Sequence, residues 1–399
     1  MHQNIQNLVQ VAEKQERMVI GLMSGTSMDG LDIALCAIKG AGRETKFELK
    51  AFTTIDYTTD FKEKILSIFS KEFVALETLC LLNAWIGQQH GKMVLSALKG
   101  WNIAPDAVDM IASHGQTIYH APKSLHPDSE YGPATLQIGD GDHIAVTSGI
   151  LTLSDFRQKH VAAGGEGAPL AVYGDYLLCS HPAENRLLLN MGGIANFTFL
   201  SAGCNLEQVF STDTGPGNTL MDAYTRTHFA PLAYDKGGAI AASGKINEAL
   251  LTALKAHTFF ALGLPKTIGP ELFNLEFLAK AQTLSQTSNL SPEDVMATLN
   301  RFSAETIADC INTSLPPGTK FNMYSSGGGM HNPVLMAHLA DLLPNANLDS
   351  SQVLGINPDA KEAILFALLA NEAVAGTPLF AGGHATKIPI TMGKFSFPL

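Results

Sequence analysis

The chain has 399 residues, of which 46% are hydrophobic and 16% charged, and its formal net charge is -11. A chain of this length usually folds as two domains. The negative charge argues against nucleic acid or an anionic membrane as a partner, and no apolar run approaches the roughly 18 residues that span a membrane. Five cysteines without a C-x-x-C pair predict a reducing, cytoplasmic location.

The first 17 residues are polar and contain no motif. Four apolar residues spaced for one helical face predict a short amphipathic helix; they are Ile5, Leu8, Val9 and Ala12. We expect residues 1–17 to be an N-terminal extension that the protein's activity does not require.

The first domain begins with a predicted β-hairpin. An apolar strand from Val19 to Met23 is followed by a small polar turn and by a second strand that starts at Leu31. The segment RLLLNMGGIANFTFL repeats this design about 170 residues later. Such a repeat predicts two similar α/β domains. We place them at residues 18–153 together with about 376–399, and at residues 154–375.

Helical and strand patterns alternate between and after the hairpins. Residues 60–99 predict one amphipathic helix, and three strands are predicted to end at His114, Asp155 and Asp213. Polar residues therefore collect at the carboxyl ends of strands. In α/β sheets this is the edge at which ligands bind.

Two more helices are predicted towards the C-terminus. Residues 321–343 predict a strand, a glycine loop and a helix, and residues 358–375 predict a second helix with Pro358 near its first turn. The three consecutive glycines of the loop favour either a flat surface for adenine and ribose or a loose helix start.

Three glycine turns are present, at residues 24–30, 191–193 and 327–329, whereas a P-loop and a G-x-G-x-x-G dinucleotide motif are not. Glycine lets backbone N–H groups approach an anion closely. The turns therefore predict phosphate binding, with Asp29 and Asp32 holding Mg²⁺ through water. The alternative is that a hairpin turn simply favours Gly and Asp.

Asp213 lies at the end of a predicted strand and precedes a Gly-Pro-Gly turn and a helix that starts near Asn218 or Thr219. A carboxylate at a rigid strand end suits a general base, because its position is set before substrate binds. The alternative is that Asp213 only caps its turn.

Two other segments carry polar side chains that suit a hydroxyl-rich substrate. His114 lies in ASHGQTIYH, where its hydrogen bonds go either to substrate or to the turn itself. Asp155 and Arg157 follow in SDFRQKH, either as an ion pair or as a clamp for a carboxylate. No cysteine or acidic residue stands near this histidine segment at zinc-ligand spacing, so a zinc site is not predicted there.

Nine segments resemble, in order from about residue 20 to 375, the 1,6-anhydro-N-acetylmuramic acid kinase family; they are GLMSGTSMDGLD, ASHGQTIYH, LQIGD, SDFRQKHVAAGGEGAPL, LLNMGGIANF, DTGPGNTLMD, ASGKIN, PKTIGPELFN and SGGGMHN. Each glycine motif alone is weak evidence, whereas their joint order is specific. The resemblance implies an α/β, two-domain actin-like ATPase (ribonuclease H-like) fold with a nucleotide cleft between the domains. It also implies a cytoplasmic, homodimeric kinase of peptidoglycan recycling.

The implied reaction uses ATP, Mg²⁺ and water. It opens the bridge of 1,6-anhydro-N-acetylmuramic acid and phosphorylates O6, which yields N-acetylmuramic acid 6-phosphate and ADP. In an anhydro sugar O6 carries no proton, so simple transfer to a hydroxyl is impossible. A base must activate water for attack on the anomeric carbon while O6 departs onto the γ-phosphoryl group.

The resemblance also implies roles for individual residues. Asp213 matches the catalytic base, and Glu362 matches a glutamate near the reacting centre. His114 and Arg157 are the candidate sugar-binding residues. The candidate ATP-binding residues, all in the three glycine turns, are Gly25, Thr26, Ser27, Met28, Asp29, Gly30, Leu31, Asp32, Gly192, Gly193, Gly327, Gly328 and Gly329.

The chain departs from the family pattern at His160, Glu166 and Pro270, and its first 17 residues are additional. These changes affect the expected substrate contacts rather than the reaction. Two alternatives stay open. A simple sugar or acid kinase of the same superfamily needs no hydrolytic water. A nucleotide-gated binding module of the Hsp70 type needs a separate peptide-binding domain, for which we expect no room in this chain.

Overall fold

Two β-sheets organise the chain, one in each of two α/β units. The units comprise Met1–Leu178 with Asp359–Leu399, and Cys179–Pro358. The computed structural model describes residues 2–25, 28–123, 126, 130–167, 170–268, 272–357, 359–380 and 389–399.

The helices in chain order are α1 (Gln3–Glu13), α2 (Thr59–Leu66), α3 (Leu76–Gly100), α4 (Gly141–Ser148), α5 (Phe156–Ala162), α6 (Ala171–Cys179), α7 (Thr219–His228), α8 (Ala239–Ser243), α9 (Glu248–Lys255), α10 (Leu275–Leu284), α11 (Pro292–Ser314), α12 (Pro333–Leu342) and α13 (Lys361–Ala375). The strands are β1 (Glu16–Ser24), β2 (Gly30–Lys39), β3 (Lys46–Asp56), β4 (Met110–Ala121), β5 (Ala134–Ile138), β6 (Thr152–Ser154), β7 (Arg186–Met191), β8 (Ile194–Leu200), β9 (Phe210–Pro216), β10 (Phe321–Ser326), β11 (Ala346–Ser350), β12 (Leu379–Phe380), β13 (Pro389–Ile390) and β14 (Lys394–Ser396).

Both large sheets share one core strand order. The first sheet has the order β14-β6-β4-β1-β2-β3, with β5 paired to β4, and the second has the order β11-β10-β7-β8-β9. In each sheet an antiparallel meander of three strands lies beside two parallel strands. The predicted fold class of two similar α/β domains, each begun by a hairpin, is confirmed.

The boundaries of the two units differ from the predicted domain boundaries. Residues 154–178 and 359–375 belong to the first unit rather than to the second. The second of these segments contains α13, which packs on β1, β2 and β4 of the first sheet. Its apolar side chains therefore complete the first core.

The predicted N-terminal extension consists of α1 and the first residues of β1. The predicted helix is present, but Ile5 and Val9 of the predicted apolar face are exposed, and Val11 is the buried residue of the helix. The strand begins at Glu16 rather than near residue 19. Arg17 is 2% exposed, and its Nε donates to Asn371 Oδ1 at 2.7 Å. The extension therefore ends before Arg17, which belongs to the core of the first unit.

Helix α13 covers one face of the first sheet, whereas α3 packs on the other. Ile20 and Leu22 of β1 are buried in one cluster with Ile86 of α3. Gly21, between them, points to the opposite face because side chains alternate along a strand. A Cβ at Gly21 would lie 1.8 Å from the Ala363 carbonyl oxygen. Glycine at this position thus allows the helix to approach the strand closely.

Two apolar clusters surround the second sheet. One joins β7, β8 and β10 to α11 and α12, and it includes Phe197, Ile307 and Leu335. The other joins α7, α9, α10 and α11. The 23-residue helix α11 contributes to both clusters, so it connects the sheet to the helices packed beside it.

The single helix predicted over residues 60–99 is wrong, because the structure has two helices there. Ser70 between α2 and α3 has a left-handed conformation with φ 50°, and its N–H donates to the Ile118 carbonyl at 2.8 Å. A residue with this backbone, bonded outside the helix, interrupts the helical hydrogen-bond pattern.

Strand ends also differ from the prediction. β4 continues past His114 to Ala121, because Gly115 (φ 76°) forms a bulge at which the pairing with β1 shifts register. β9 continues past Asp213 to Pro216. The predicted strand, glycine loop and helix over residues 321–343 are confirmed.

The predicted helix start near Asn218 or Thr219 is also confirmed, since α7 begins at Thr219. α13 begins at Lys361, and Pro358 lies outside the described residues. In the described part of the chain, none of the helices combines the length and the hydropathy that a membrane crossing requires.

The close approach at Gly21 makes a prediction for stability. Gly21→Ala should lower the free energy of unfolding by about 3 kcal/mol, because the added methyl group overlaps the backbone of α13. Gly100→Ala is the control, since a Cβ there meets open space at the end of α3 and alanine favours a helix. Urea unfolding of both variants checks this. Equal stability of the two would contradict the packing described here.

Candidate active site

The candidate phosphate turn connects β1 to β2 in the first unit. Gly25 is half-buried and Asp29 is exposed, whereas Thr26 and Ser27 lie outside the described residues. Gly30 is required for strand packing, because a Cβ there would lie 2.6 Å from a carbonyl oxygen of β3. The turn therefore contains one glycine with a structural role and one exposed carboxylate.

Two candidate residues of this turn have buried side chains. Met28 is 5% exposed and has a left-handed backbone with φ 57°, and Leu31 is fully buried. Both side chains belong to the apolar core of the first unit. Their backbone groups are therefore the parts that a phosphate can contact.

Asp32 combines a partly buried position with a fixed geometry. Its Oδ1 accepts a hydrogen bond from Thr54 Oγ1 at 2.6 Å. Burial raises the pKa of the carboxyl group, the Thr54 hydroxyl opposes this, and the nearby Asp359 adds to it. Asp32 is thus a carboxylate held by a hydrogen bond rather than a mobile surface charge.

His114 and Arg157 are brought together by the structure. Arg157 Nε donates to His114 Nε2 at 2.9 Å, and Arg157 Nη1 donates to the Gly167 carbonyl at 2.7 Å. Burial, with a further contribution from Arg157, lowers the pKa of His114 to about 3. The imidazole is therefore neutral and accepts a hydrogen bond from a guanidinium that remains charged.

The predicted pairing of Asp155 with Arg157 is not observed. Asp155 forms an ion pair with Lys394 of β14 instead. It precedes α5 with a left-handed φ of 59° and makes no side-chain hydrogen bond that caps this helix. Of the two alternatives for this segment, Arg157 as a carboxylate clamp is the one that remains.

Glu362 lies on the first turn of α13, close enough to Arg157 for their charges to interact. Its side chain is accessible to solvent, yet the surrounding protein raises its pKa. Arg157 lowers this pKa, whereas Asp32 raises it further. The first unit therefore gathers four candidate residues, His114, Arg157, Glu362 and Asp32, in one electrostatic cluster.

Two residues that depart from the family pattern accept hydrogen bonds from backbone N–H groups, and one of them supports this cluster. His160 is buried, and its Nδ1 accepts a hydrogen bond from the Gly167 N–H at 2.9 Å. Glu166 Oε2 accepts one from the Lys123 N–H at 3.2 Å. Because the Gly167 carbonyl binds Arg157, His160 helps to place the guanidinium. The third departure, Pro270, lies outside the described residues.

The glycine turns of the second unit contact each other. Gly192 and Gly193 connect β7 to β8, and residues 327–329 follow β10, the parallel neighbour of β7. A Cβ on Gly327 (φ 80°) would lie 2.7 Å from the Met191 carbonyl oxygen, and one on Gly329 would lie 2.7 Å from Met191 Cβ. Glycines at these positions allow the two loops to pack at one sheet edge.

Gly217 and Asn218 complete this edge and were not among the predicted site residues. The Asn218 N–H donates to the Gly192 carbonyl at 2.8 Å, and its Nδ2 donates to the Met191 carbonyl at 3.1 Å. A Cβ on Gly217 would lie 2.3 Å from the Gly192 carbonyl oxygen. The sequence signal for these two residues was GPGN. Its two glycines suit a place where two backbone segments pass close together, as well as a rigid turn.

Asp213 lies on β9, one residue before the register shift in its pairing with β8. Its N–H donates to the Lys266 carbonyl at 2.9 Å, and its Oδ2 accepts a hydrogen bond from the Ile268 N–H at 2.8 Å. Burial raises its pKa to about 6, although the bond from Ile268 opposes this. A carboxylate that takes up a proton near neutral pH suits a general base.

Lys266 supports Asp213 through its backbone and was also missed. Its side chain is 9% exposed, and Nζ lies 4.5 Å from the Phe259 ring centre and donates to the Phe259 carbonyl at 3.2 Å. These contacts hold the segment whose carbonyl and N–H groups bind Asp213. Only the family segment PKTIGPELFN pointed to this region.

Metal ligands supplied by the protein alone are not grouped in the described residues. No cluster of three or more His, Cys, Asp or Glu side chains in that part of the chain could hold a metal ion. Mg²⁺ commonly binds through one or two carboxylates together with phosphate oxygens and water. The carboxylates of Asp29 and Asp32 fit that type of site, in which the nucleotide supplies further ligands.

The duplicated strand order, with a glycine turn in the first hairpin of each unit, defines a protein of two α/β units that share one topology. The chain belongs to the anhydro-N-acetylmuramic acid kinase family, whose model matches residues 17–387.

Relatives that carry this name cover almost the whole chain. One from Pseudoalteromonas atlantica is 57% identical over 400 residues, with 100% of each chain covered. One from Caldanaerobacter subterraneus is 37% identical, with 98% of this chain and 99% of the relative covered. A solved structure, the activator of 2-hydroxyisocaproyl-CoA dehydratase from Clostridium difficile with bound ADPNP, has 11% identity and a TM-score of 0.41 over 90% of this chain and 95% of that chain.

The raised pKa of Asp213 makes a prediction for stability. Because the folded-state pKa of about 6 exceeds the ordinary value of 3.8, this group favours folding most at low pH, and that contribution is lost as the pH rises through 6. Asp213→Asn should therefore be more stable than the parent at pH 7.5, by on the order of 1–2 kcal/mol, with little difference at pH 4.

Denaturant unfolding at the two pH values measures this difference. Asp341→Asn, an exposed position on α12 of the same unit, is the matched control and should show little change at either pH. A destabilised Asp213→Asn protein at pH 7.5 would argue that the carboxylate is a structural cap.

Proposed function

We propose that the protein opens the ring of 1,6-anhydro-N-acetylmuramic acid and phosphorylates O6, with ATP as phosphoryl donor and Asp213 as general base. The observation that carries this proposal is the position of Asp213: a half-buried carboxylate held by the Ile268 N–H, with a pKa raised by burial to about 6. The family to which the chain belongs supports the substrate.

The bonds in this reaction balance with water as a reactant. Asp213 takes a proton from a water molecule, and the resulting hydroxide attacks the anomeric carbon as the bond from that carbon to O6 breaks. O6 then forms its bond to the γ-phosphorus, and the bond from phosphorus to the ADP oxygen breaks. The products are N-acetylmuramic acid 6-phosphate, ADP and one proton, which Asp213 releases.

We assign nucleotide binding to the glycine turns. Residues 25–32 bind the phosphates, and the contacting loops at 192–193 and 327–329 bind the rest of the nucleotide. Two features support this: the close backbone packing that these glycines allow, and the carboxylates of Asp29 and Asp32 beside the turn. Mg²⁺ held by those carboxylates and by the phosphates would neutralise charge on the transferred group.

Sugar binding is assigned to the cluster of His114, Arg157 and Glu362. The sugar carries a carboxylate on its lactyl group, and a half-buried guanidinium fixed by two hydrogen bonds suits such a group. Glu362 adds a second carboxyl with a raised pKa. It is the next candidate for proton transfer if Asp213 fails as the base.

The proposal also includes the cellular setting. The five cysteines include no C-x-x-C pair, which agrees with a reducing cytoplasm. Homodimer formation and a role in peptidoglycan recycling are implied by the family resemblance, and the net charge of -11 argues against nucleic acid as a partner. Analytical ultracentrifugation tests the dimer directly.

Asp213→Asn should lose turnover but keep ligand binding. The amide retains the acceptor for the Ile268 N–H but cannot take up a proton, so kcat should fall by about 10²- to 10⁴-fold. Coupled ADP release measures kcat, and calorimetry measures sugar affinity. Asp222→Asn, on α7 of the same unit, is the control and should stay within about threefold. Near-normal turnover of a folded Asp213→Asn protein would sink the mechanism.

The pKa of Asp213 also sets a pH dependence. The base must be ionised, so kcat/KM should rise about tenfold per pH unit below 6 and level off above it. A profile that stays flat from pH 5 to 7, under conditions in which the protein remains folded, would exclude Asp213 as the base of a rate-limiting step.

Water labelled with ¹⁸O separates ring opening from simple phosphorylation. With 1,6-anhydro-N-acetylmuramic acid, ATP and Mg²⁺, we expect one ¹⁸O at the anomeric carbon and none in the phosphate group. Unlabelled product kept in the same water for the same time corrects for anomeric exchange. A phosphorylated sugar with an intact anhydro bridge would instead indicate a simple kinase acting on another hydroxyl.

A further inference from the structure

A chain of buried polar side chains lies behind the candidate phosphate turn in the first unit. It consists of Ser24, Tyr57, His90 and Gln116, which are between 0% and 4% exposed. Ser24 Oγ lies 2.7 Å from Tyr57 Oη and 2.5 Å from Gln116 Oε1, and Tyr57 Oη lies 3.0 Å from His90 Nε2. These residues come from β1, α3, β4 and the end of β3, and the mechanism above does not use them.

Gln116, the last residue of this hydrogen-bond series, determines the direction of each hydrogen bond in it. Gln116 Nε2 donates to the carbonyls of Gly25 and Thr117, at 3.3 and 3.1 Å, so Gln116 Oε1 is an acceptor. The single hydroxyl proton of Ser24 therefore goes to Gln116. Ser24 Oγ must then accept from the Tyr57 hydroxyl, whose own oxygen accepts from His90 Nε2.

This order fixes the tautomer of His90. The ring proton must be on Nε2, which leaves Nδ1 unprotonated. Two observations agree: no hydrogen-bond partner for Nδ1 is found among the described residues, and burial lowers the pKa of His90 to about 4. The imidazole is therefore neutral, and it serves as a donor at one nitrogen only.

The members of this series contact the candidate phosphate turn at two points. Gln116 Nε2 donates to the Gly25 carbonyl, and the backbone N–H of Tyr57 donates to the Asp29 carbonyl at 2.9 Å. A carbonyl and the following N–H belong to one rigid plane, so holding these carbonyls orients the backbone on both sides of the turn. The ring of Tyr57 is itself fixed by stacking on Phe61, with centres 4.0 Å apart.

We infer that Tyr57 and His90 are positioning residues for nucleotide phosphate binding: the hydrogen-bond series from His90 through Tyr57 and Ser24 to Gln116, together with the Tyr57 N–H, holds the carbonyls of Gly25 and Asp29 in their binding geometry. The inference rests on the proposed function in one respect, because that proposal assigns ATP phosphates to this turn. Neither side chain needs to touch the nucleotide.

Tyr57→Phe removes the hydroxyl and keeps the ring that stacks on Phe61. We expect KM for ATP to rise about tenfold, while kcat and KM for the sugar change by less than about threefold. The reason is that the substitution removes one buried hydrogen bond, and this bond supports only the turn assigned to the nucleotide phosphates. Tyr176→Phe is the matched control: Tyr176 is also a buried residue of the first unit, but its hydroxyl accepts a hydrogen bond from Arg43 instead. Equal effects of the two substitutions on KM for ATP would overturn the inference.

A pair of His90 variants tests the assigned tautomer. The amide nitrogen of glutamine extends to about the position of Nε2, whereas that of asparagine reaches only to about Nδ1. His90→Gln should therefore keep KM for ATP within about threefold of the parent, and His90→Asn should raise it as Tyr57→Phe does. The reverse order would contradict the direction of the hydrogen bonds.

Nitrogen NMR of the parent protein with ¹⁵N-labelled histidine provides a readout that needs no variant to fold. We expect His90 in the Nε2–H tautomer between pH 6 and 8, with the signal unchanged across that range. An Nδ1–H tautomer, or a charged ring at pH 6, would overturn the inference.

Direct binding of the ATP analogue ADPNP with Mg²⁺ distinguishes this inference from the proposed function. If the parent binds the analogue and Tyr57→Phe binds it about tenfold more weakly, the inference stands even when the anhydro sugar is not converted, and only the proposed substrate falls. If the sugar is converted but both proteins bind the analogue equally, the inference falls and the proposed function stands. Failure of the parent to bind the analogue overturns both.

Discussion

The proposed chemistry depends on one desolvated carboxylate. Asp213 has lost much of its water, and the Ile268 N–H compensates for only part of that loss, so its pKa rises to about 6. With more hydrogen bonds the carboxylate would be too weak a base, and with none it would stay protonated at neutral pH. The cation of Lys266 is held by Phe259, and burial lowers its own pKa. Lys266 therefore anchors the segment beside Asp213 through these contacts with Phe259.

Close backbone packing positions other candidate groups within each unit. Gly21 allows α13 to approach β1, and this places Glu362, one residue before Ala363, beside the first sheet. Gly217 and Gly327 similarly allow the loops of the second unit to pack against residues 191–193. The glycines in these segments therefore have two kinds of role. Some are required for packing, and others, such as Gly25, remain candidates for ligand contact.

Much of the architecture could be predicted because it is encoded locally. The two hairpins follow from apolar strands on either side of small polar turns, and the start of α7 follows from the residues after the Gly-Pro-Gly turn. The break between α2 and α3 could not be predicted, because it depends on a hydrogen bond from Ser70 to Ile118, a residue far away in sequence. Local patterns do not contain such contacts.

The candidate site shows the same limit. Arg157 has a carboxylate two residues before it, and an ion pair between neighbours was a reasonable interpretation. Folding instead brings His114 to Arg157 and Lys394 to Asp155. Lys266 and Tyr57 were missed for a related reason, since each supports another residue through its backbone or through a buried hydroxyl. Neither role has a characteristic sequence pattern.

The central claim is that the protein environment brings the pKa of Asp213 close to neutral. Carboxyl ¹³C NMR on protein labelled at aspartate can measure it directly, with Asp213→Asn identifying the resonance. We predict a titration midpoint near pH 6 in the protein without ligands. A midpoint at or below the ordinary value of 3.8 would contradict the account, because the carboxylate would then be stabilised by hydrogen bonds rather than activated as a base.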